Sequence, residues 1–279
     1  MKYISADLHM HTKNSDWEFS QKELEAIISN LEWKKVFSIT DHNYLTVNNY
    51  YEVNWNLCIP GIEISAVANN EPVHILWYSL NPKINNNLQK ILDDIRKWYQ
   101  NRAKKIHKKI KNAGFNIAPL SEIRDPNLPL PIQKSDFVKE LWRISWLKNS
   151  REIRDRARNN WNLLFVLEEV FFPEVEDLIP IMKESNFLTV WAHPWKKLFC
   201  NSKDKEKSTN ILNHIINSGI DWIESFYHNH TSEQTELFLC VAEKNKLLIT
   251  WWWDFHWIWS WELSFPLSPE YIDSFLNKL

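Results

Sequence analysis

Short apolar stretches alternate with longer amphipathic stretches along most of the chain, and this alternation constrains the fold more than any other feature. Runs of about four to eight apolar, often β-branched residues predict buried strands, and the stretches between them have the period of helices. Such alternation predicts an α/β layer or barrel. The predicted strands are Ile4–His9, Val36–Thr40, Leu57–Ile64, Val73–Tyr78, Leu188–His193, Trp222–Phe226 and Leu247–Thr250.

Helix starts are predicted at two capping boxes, in which a hydroxyl and a longer polar side chain each bond to the backbone near the other. Ser20 with Glu23 begins one predicted helix, and Thr231 with Gln234 begins another. The longest helical pattern covers residues 88–112 and is followed by a glycine, a residue that commonly ends helices.

Residues 96–173 differ in composition from the rest of the chain. Lys and Arg are dense there, residues 125–131 hold three prolines, and strand signals nearly vanish. This change predicts a mostly helical insertion. The predicted organisation is therefore a first part of a barrel over residues 1–95, the insertion over 96–173, and a second part of the barrel over 174–279.

The overall charge gives no reason to expect a nucleic-acid or membrane binder, because 33 Lys and Arg balance 35 Asp and Glu. The first residues lack the apolar segment of a signal peptide, and no apolar run has the length of about 20 residues that a membrane helix needs. The three scattered cysteines favour reduced thiols over disulfides. We therefore expect a cytoplasmic protein with no membrane association and no obligate protein partner.

Histidines and carboxylates gather at the ends of the predicted strands. Asp7, His9 and His11 end the first strand, and the alternation of side chains places His9 and His11 on the same side. In a barrel, the carboxyl ends of the strands meet at one face, so we expect these groups to converge. Imidazoles and carboxylates without thiolates suit Mn, Fe or Zn. The other members of this set are Asp16, Asp41, His42, Glu63, His74, His193, Asp254 and His256.

Taken together, these motifs resemble those of the PHP (polymerase and histidinol phosphatase) family. The matching segments run in family order from Asp7 to Leu263 and read DLHMHT, ITDHN, IPGIEIS, VHIL, AHP, ESFYHNHTSEQTELF and the terminal DFH…EL. The chain looks most like the stand-alone members that hydrolyse nucleoside 3′,5′-bisphosphates or short oligoribonucleotides. The resemblance implies a distorted (β/α)7 TIM-like barrel and a phosphoesterase in which a metal-bridging hydroxide attacks phosphorus.

The resemblance also implies a site for two to three divalent ions, in which Glu63 is shared by the first two. The implied ligands are His9, His11, Glu63 and Asp254 for the first ion, Glu63, His74 and His193 for the second, and Asp16, His42 and His256 for the third.

Further roles follow from the same resemblance. Asp7 and Asp41 are expected to orient ligand imidazoles, and His230 is expected to act as an acid or to bind the phosphate. Arg102 and Lys134 are candidate phosphate ligands, with a solvated helix charge as the equal alternative for each.

Two other functions stay open at this point. Histidinol-phosphate phosphatase activity would use the same metal ligands, so the implied ligand set does not exclude it. A non-catalytic PHP module that serves a partner protein is the other alternative, and such modules often lose metal ligands. Every ligand position that can be aligned is filled in this chain, which favours an enzyme.

The sequence is poor in glycine and rich in tryptophan. It has 3 Gly and 17 Trp, whereas the average usage of about 7% predicts about 20 Gly. Several Trp stand where the family has a small residue, usually glycine, which permits close backbone approach. We hypothesise that the gene comes from a lineage that reads UGA as glycine; the alternative is a Trp-rich face that stacks bases or sugars. The affected positions are Trp17, Trp77, Trp195, Trp222, Trp251, Trp252, Trp253 and Trp257.

Overall fold

The chain folds into two compact units. The computed structural model describes Tyr3 and residues 5–31, 34–145, 150–157, 162–166, 171–185, 187–194, 205–227, 231–252 and 269–279. The first unit consists of Met1–Lys90 and Phe172–Leu279, and the second consists of Ile91–Phe171. The second unit overlaps the predicted helical insertion, and the first contains the sheet.

One sheet organises the first unit. Its strands are β1 (Ser5–Met10), β2 (Lys35–Ile39), β3 (Tyr51–Val53), β4 (Asn56–Ala68), β5 (Glu71–Tyr78), β6 (Leu188–Trp191), β7 (Trp222–Tyr227) and β8 (Leu248–Trp252). The strand order is β1-β2-β4-β5-β6-β7-β8, and β3 pairs with β4. Neighbours along this path are parallel, except that β5 is antiparallel to both β4 and β6.

The mixed α/β architecture is confirmed and is consistent with a TIM-like barrel-type fold. The sheet of the described residues is a curled half-barrel, which is less complete than the distorted (β/α)7 barrel that we predict from the sequence. One reason is the connection between β4 and β5. Asn69 and Asn70 join these strands directly, with φ values of 49° and 61°. Two residues with positive φ make the tight turn of a β-hairpin. No helix crosses over at this point, and β5 therefore runs in the opposite direction.

Helices follow many of the strands. They are α1 (Gln21–Ser29), α2 (Asn86–Asn112), α3 (Leu120–Ile123), α4 (Lys134–Ile144), α5 (Ser150–Asp155), α6 (Val175–Lys183), α7 (Lys205–Asn217), α8 (Ser232–Asn245) and α9 (Pro269–Leu276). Both predicted capping boxes are confirmed, at Ser20 before α1 and at Thr231 before α8. Gly114 follows α2 with a φ of 88°, a conformation that glycine adopts without a steric penalty.

Packing on the two faces of β1 decides which of its side chains reach the site. Ala6 and Leu8 belong to a buried apolar cluster that also contains Ile272 and Phe275 of α9. Because side chains alternate along a strand, His9 points to the opposite face. Its imidazole therefore faces the other side of the sheet.

The second unit has its own apolar core. Ile106 and Ile110 of α2 pack with Phe137 and Leu141 of α4, and all four side chains are buried. Across the described residues of both units, no helix is both long enough and apolar enough to cross a membrane.

Candidate metal centre

Glu63 lies at the centre of a buried cluster of imidazoles. It occupies the interior of β4 and is fully buried. Its Oε2 atom lies 2.8 Å from His42 Nδ1 and 3.3 Å from the Nε2 atoms of both His9 and His11. One carboxylate oxygen therefore faces three imidazole nitrogens.

The other oxygen of Glu63 faces a second pair of imidazoles. Oε1 lies 2.7 Å from His74 Nδ1 and 2.9 Å from His193 Nε2, and these two nitrogens are 3.1 Å apart. The carboxylate thus divides its oxygens between two groups of nitrogens, as a bridging ligand does.

Asp16 extends the cluster on the side of His11 and His42. Its carboxylate oxygens lie 4.0 Å from His11 Nδ1 and 3.6 Å from His42 Nε2. The rings of His11 and His42 are stacked, with centroids 4.6 Å apart. One ligand atom from each of these three residues lies within 4.8 Å of the others, close enough for them to share an ion.

Adjacent strands bring these residues together. His9 lies in β1 and His11 directly after it, while His74 lies in β5 and His193 shortly after β6. His42 follows β2 and forms a bridge with Glu63 in β4. The five strands are neighbours in the sheet, so their side chains on one face converge.

Asn43 fixes the loop that carries His42. Its φ is 53°, in the left-handed region that Asn tolerates better than most residues. Its backbone N–H donates to the Glu63 carbonyl at 2.7 Å, and its side chain exchanges two hydrogen bonds with Ser65. These bonds hold His42 beside Glu63.

Asp41, which is expected to orient a ligand imidazole, contacts the cluster through hydroxyl groups. Its carboxylate accepts hydrogen bonds from the Thr12 backbone N–H and hydroxyl, both at 2.6 Å, and from Ser15 Oγ at 2.7 Å. Thr46 Oγ1 also donates to it. Ser15 Oγ in turn lies 3.3 Å from His11 Nδ1. Asp41 therefore orients His11 through Ser15.

Glu224 of β7 is a residue of the site that the sequence analysis did not single out. Its Oε1 atom lies 2.9 Å from His9 Nδ1, and its Oε2 atom accepts a hydrogen bond from the His193 backbone N–H at 2.6 Å. A carboxylate bonded to Nδ1 directs the lone pair of Nε2 outward, which in His9 faces Glu63. The motif ESFYH contained this residue, but a glutamate in a strand has no local signal that separates it from a surface residue.

The electrostatics of the cluster keep Glu63 ionised. Burial raises the pKa of a carboxyl group, but His42, His74 and His9 outweigh it and hold the pKa of Glu63 well below its ordinary value. Burial likewise acts to lower the pKa of His9, yet the nearby Glu224 and Glu63 raise it to about 10. The pKa of His11 is well below the usual range because of burial and the nearby His42.

The donor set fits divalent metal ions. Glu63 Oε2 is buried and makes no hydrogen bond to any described residue, although three imidazole nitrogens lie within 3.3 Å of it. Nitrogen and oxygen atoms at this spacing could hold a metal ion between them. Three groups of His, Asp and Glu in the described residues have this spacing. Imidazoles with carboxylates suit Mn, Fe or Zn.

Of the remaining predicted site residues, Asp7, Arg102 and Lys134 lie in the described part of the chain and the others do not. Asp7 accepts a hydrogen bond from the His9 backbone N–H at 3.3 Å. In the second unit, Arg102 donates to Gln133 at 3.2 Å and lies over the rings of Trp98 and Tyr99, while Lys134 is the first residue of α4. The predicted residues that lie outside the described part of the chain are His230, Asp254 and His256.

Comparisons with known proteins show the fold. No protein-family model matches the chain, and no curated protein matches it by sequence. A structure from Bifidobacterium adolescentis, provisionally named a metal-dependent phosphoesterase, aligns with a TM-score of 0.71 and 17% identity over 98% of this chain and 96% of its own. An amidohydrolase from Chromobacterium violaceum, solved with sulfate and no metal, aligns with a TM-score of 0.67 and 18% identity over 90% and 87%. The chain therefore shares the fold of these two proteins.

Proposed function

We propose that this chain is a metal-dependent hydrolase of small phosphate esters. The observation that carries the proposal is the buried Glu63 carboxylate, whose two oxygens face five imidazole nitrogens at 2.7–3.3 Å. A structural role does not require so many titratable groups around one point, because burying charged and polar groups is costly unless they are fully paired. Metal binding explains the arrangement, and the name of the Bifidobacterium structure agrees with it.

In this proposal the centre holds two to three divalent ions, either Mn, Fe or Zn. Glu63 would be a ligand of two of them, and Asp16 would contribute to a third with His11 and His42. The proposed ligands are His9, His11, Asp16, His42, Glu63, His74 and His193, together with Asp254 and His256 from outside the described residues.

The protein contributes ligands in fixed orientations. When bound, ions of this kind acidify water and neutralise the oxygens of a phosphate ester. Glu224 holds the His9 ring and the backbone of His193, and Asp41 holds the loop of Thr12 and Ser15 next to His11. Such partners typically change metal affinity or activity by about 10–100-fold when they are removed. They keep the nitrogen atoms directed inward before an ion or a substrate arrives.

The proposed substrate class is a nucleoside 3′,5′-bisphosphate or a short oligoribonucleotide, which rests on the resemblance of the ESFYHNHT and DFH segments. Histidinol phosphate is the alternative substrate, because it would need the same metal ligands. An amide is a third substrate to test, because one protein with this fold is named an amidohydrolase. A non-catalytic module is a further alternative.

A turnover screen separates these functions. The full chain is supplied with manganese and offered a nucleoside 3′,5′-bisphosphate, short RNA, histidinol phosphate and an amide, and the release of phosphate, nucleotide or amine is measured. We expect release from the bisphosphate or the RNA, and none from the amide. Release from histidinol phosphate alone would change the substrate class. No release from any of the four, with metal bound, would support the non-catalytic module.

We also propose that the cell's own protein carries glycine at many of the tryptophan positions. The hairpin between β3 and β4 supports this proposal. Its two turn residues, Asn54 and Trp55, have φ values of 44° and 69°. Turns with positive φ at both positions strongly prefer Asn-Gly. A left-handed conformation costs a residue with a side chain about 1–2 kcal/mol, and the 75% exposed side chain of Trp55 gains little by burial.

Two buried tryptophans support the same proposal. The ring centroids of Trp77 and Phe187 are 3.6 Å apart with an angle of 49° between the rings. Aromatic pairs prefer about 4.5–7 Å, so the two rings lie closer together than such pairs usually do. The indole N–H groups of Trp77 and Trp222 are buried and make no hydrogen bond to any described residue. A glycine at either position would remove an unsatisfied donor.

Tandem mass spectrometry of the native protein from its original host tests this proposal. Peptides that span Trp55, Trp77 and Trp222, and the segment 247–263, are expected to have glycine masses at the recoded positions. Tryptophan masses at these positions would contradict it. The turnover screen is to be run on both forms, because glycine near the ligands permits the close backbone approach that a phosphate group needs.

A further inference from the structure

A cavity of about 370 Å³ lies within the second unit. One wall is a face of α2, where Arg96, Gln100 and Lys104 follow one another at intervals of four residues. The opposite wall is the segment of residues 120–132, which includes α3. Pockets for small molecules typically measure about 300–1,000 Å³. The volume is therefore sufficient for a small organic ligand.

The base of this cavity is apolar. Ala103, Leu130 and Ile132 line it and are 3%, 4% and 9% exposed. Their backbone and side chains belong to parts of the unit that are already packed, so the base does not need to form on binding. Such a surface receives the flat or apolar part of a ligand through the hydrophobic effect.

The rim of the cavity is cationic. Arg96 and Lys104 are exposed and lie two turns apart on the same face of α2. Neither side chain makes a hydrogen bond or an ion pair with another described residue. Two cations on one rim without a protein partner provide a ready contact for an anionic group.

Arg124 brings a third cation to the cavity in a fixed position. Its side chain is only 9% exposed, its Nε atom donates to the Leu130 carbonyl at 3.0 Å, and its Nη1 atom lies 3.4 Å from Asp136. Asp125 also lines the cavity, but its Oδ1 atom is bonded to the backbone and side-chain nitrogens of Asn127. The lining therefore has three cations, of which Arg124 is paired with Asp136, and one carboxylate.

We propose that this cavity binds an aromatic phosphate monoester of the size of a nucleoside monophosphate. The apolar base receives the aromatic part, and Arg96 and Lys104 bind the phosphate at the rim. None of the lining residues belongs to the candidate metal centre, so the proposal stands on its own and the cavity is a second site for a phosphorylated compound.

Photolabelling of the full chain with 8-azido-AMP locates this site directly. The expected result is a label in the segment of residues 120–132 that excess AMP removes. A label confined to peptides that carry His9, His42 or His193 would overturn the proposal, because it would place the nucleotide at the metal centre. Labelling that AMP does not remove would overturn it as well.

Matched variants test the chemistry of the ligand. Calorimetry with AMP, adenosine and inorganic phosphate is expected to show AMP as the tightest of the three. Lys104→Glu should weaken AMP binding by at least about tenfold, since it replaces an attractive charge by a repulsive one. Lys105→Glu makes the same change of charge on another face of α2 and should leave binding unchanged. Equal effects of the two variants would overturn the proposal.

A third variant removes the space without changing the charge. Ser121 is exposed and lines the cavity, so Ser121→Trp fills the cavity without disturbing the apolar core of the unit. We expect the photolabel to be lost in this variant while its melting temperature stays within a few degrees of the parent. Turnover at the metal centre should stay unchanged. Undiminished labelling of a folded Ser121→Trp protein would contradict the proposed location.

Discussion

The candidate metal centre of the first unit and the cationic cavity of the second unit differ in how they present charged side chains. Glu63, His9 and His11 are at most 1% exposed and are carried by or next to strands. Arg96 and Lys104 are exposed and extend from a helix. Strands fix short side chains within the few tenths of an ångström that metal bonds allow. Long cations on a helix adapt to an organic anion, which needs charge and contact but no fixed coordination geometry.

This comparison indicates where a substitution should have the larger effect. In the buried centre, each side chain is held by a second residue, and a change at one position disturbs several bonds. On the rim of the cavity, each cation acts largely by itself. We therefore expect larger, coupled effects in the first unit and smaller, separable effects in the second.

The largest effect is expected from Glu63→Gln. The amide has the shape of the carboxylate but lacks the charge that two groups of imidazoles share, so turnover of the phosphate ester should fall by at least about 10²–10³-fold, the range for losing one key electrostatic group. Glu243→Gln, on the exposed side of α8, is the matched control. Steady-state kinetics with manganese measure both, and similar turnover in the two variants would remove Glu63 from the centre.

A smaller effect is expected from Glu224→Gln. The amide cannot accept bonds from both His9 and the His193 backbone with the strength of a carboxylate, so metal affinity should fall by about 10–100-fold. Metal titration of the protein measures this change. Restoring the parent turnover by raising the metal concentration would identify Glu224 as a positioning residue. A loss of turnover with unchanged metal affinity would show that Glu224 contacts the substrate.

The next effect concerns stability. Asp41→Asn replaces one acceptor oxygen by an NH₂ group, so some of the hydroxyl donors of Thr12, Ser15 and Thr46 lose their acceptor. A buried donor without an acceptor costs about 1–3 kcal/mol. Chemical denaturation should show this loss in the free energy of unfolding. Metal affinity should fall less than in Glu224→Gln, because Asp41 reaches His11 only through Ser15. The reverse order would show that Asp41 has a more direct role.

The smallest effects on stability are expected from two Trp→Gly substitutions, one in a turn of the first unit and one in a helix of the second. Trp55→Gly relieves a left-handed conformation and should stabilise the protein by about 1–2 kcal/mol. Trp142→Gly, at an exposed position of α4, should destabilise it by about 0.5–1 kcal/mol, because glycine weakens a helix interior. Thermal or chemical unfolding compares the two. A loss of stability in both variants would contradict glycine as the native residue at position 55.

Much of the sheet could be predicted from the sequence because its strands are apolar runs bounded by polar residues. The short strand β3 was missed. Asn-Gly is the strongest short-range signal for a hairpin, and the sequence has Asn54-Trp55 at that turn. The reversal of β5 was also missed, because Asn69-Asn70 can make a turn of many kinds and only the structure shows both residues at positive φ.

The histidines of the site could be singled out because they follow strands in a recurring pattern. The groups that hold them could not. The contact between Glu224 and His9 joins residues 215 positions apart, and the contact of Asp41 with Ser15 depends on how two loops meet. Glu63 was identified by its motif, but the division of its oxygens between two groups of imidazoles requires coordinates.

Metal content is the measurement that tests the central claim most directly. The protein is incubated with manganese, freed of unbound ions by gel filtration and analysed by mass spectrometry of the elements, with Glu63→Gln treated alongside it. The account predicts two to three ions per chain in the parent and a clear loss in the variant. A parent without bound metal, or a variant with the same content, would contradict a metal centre built around Glu63.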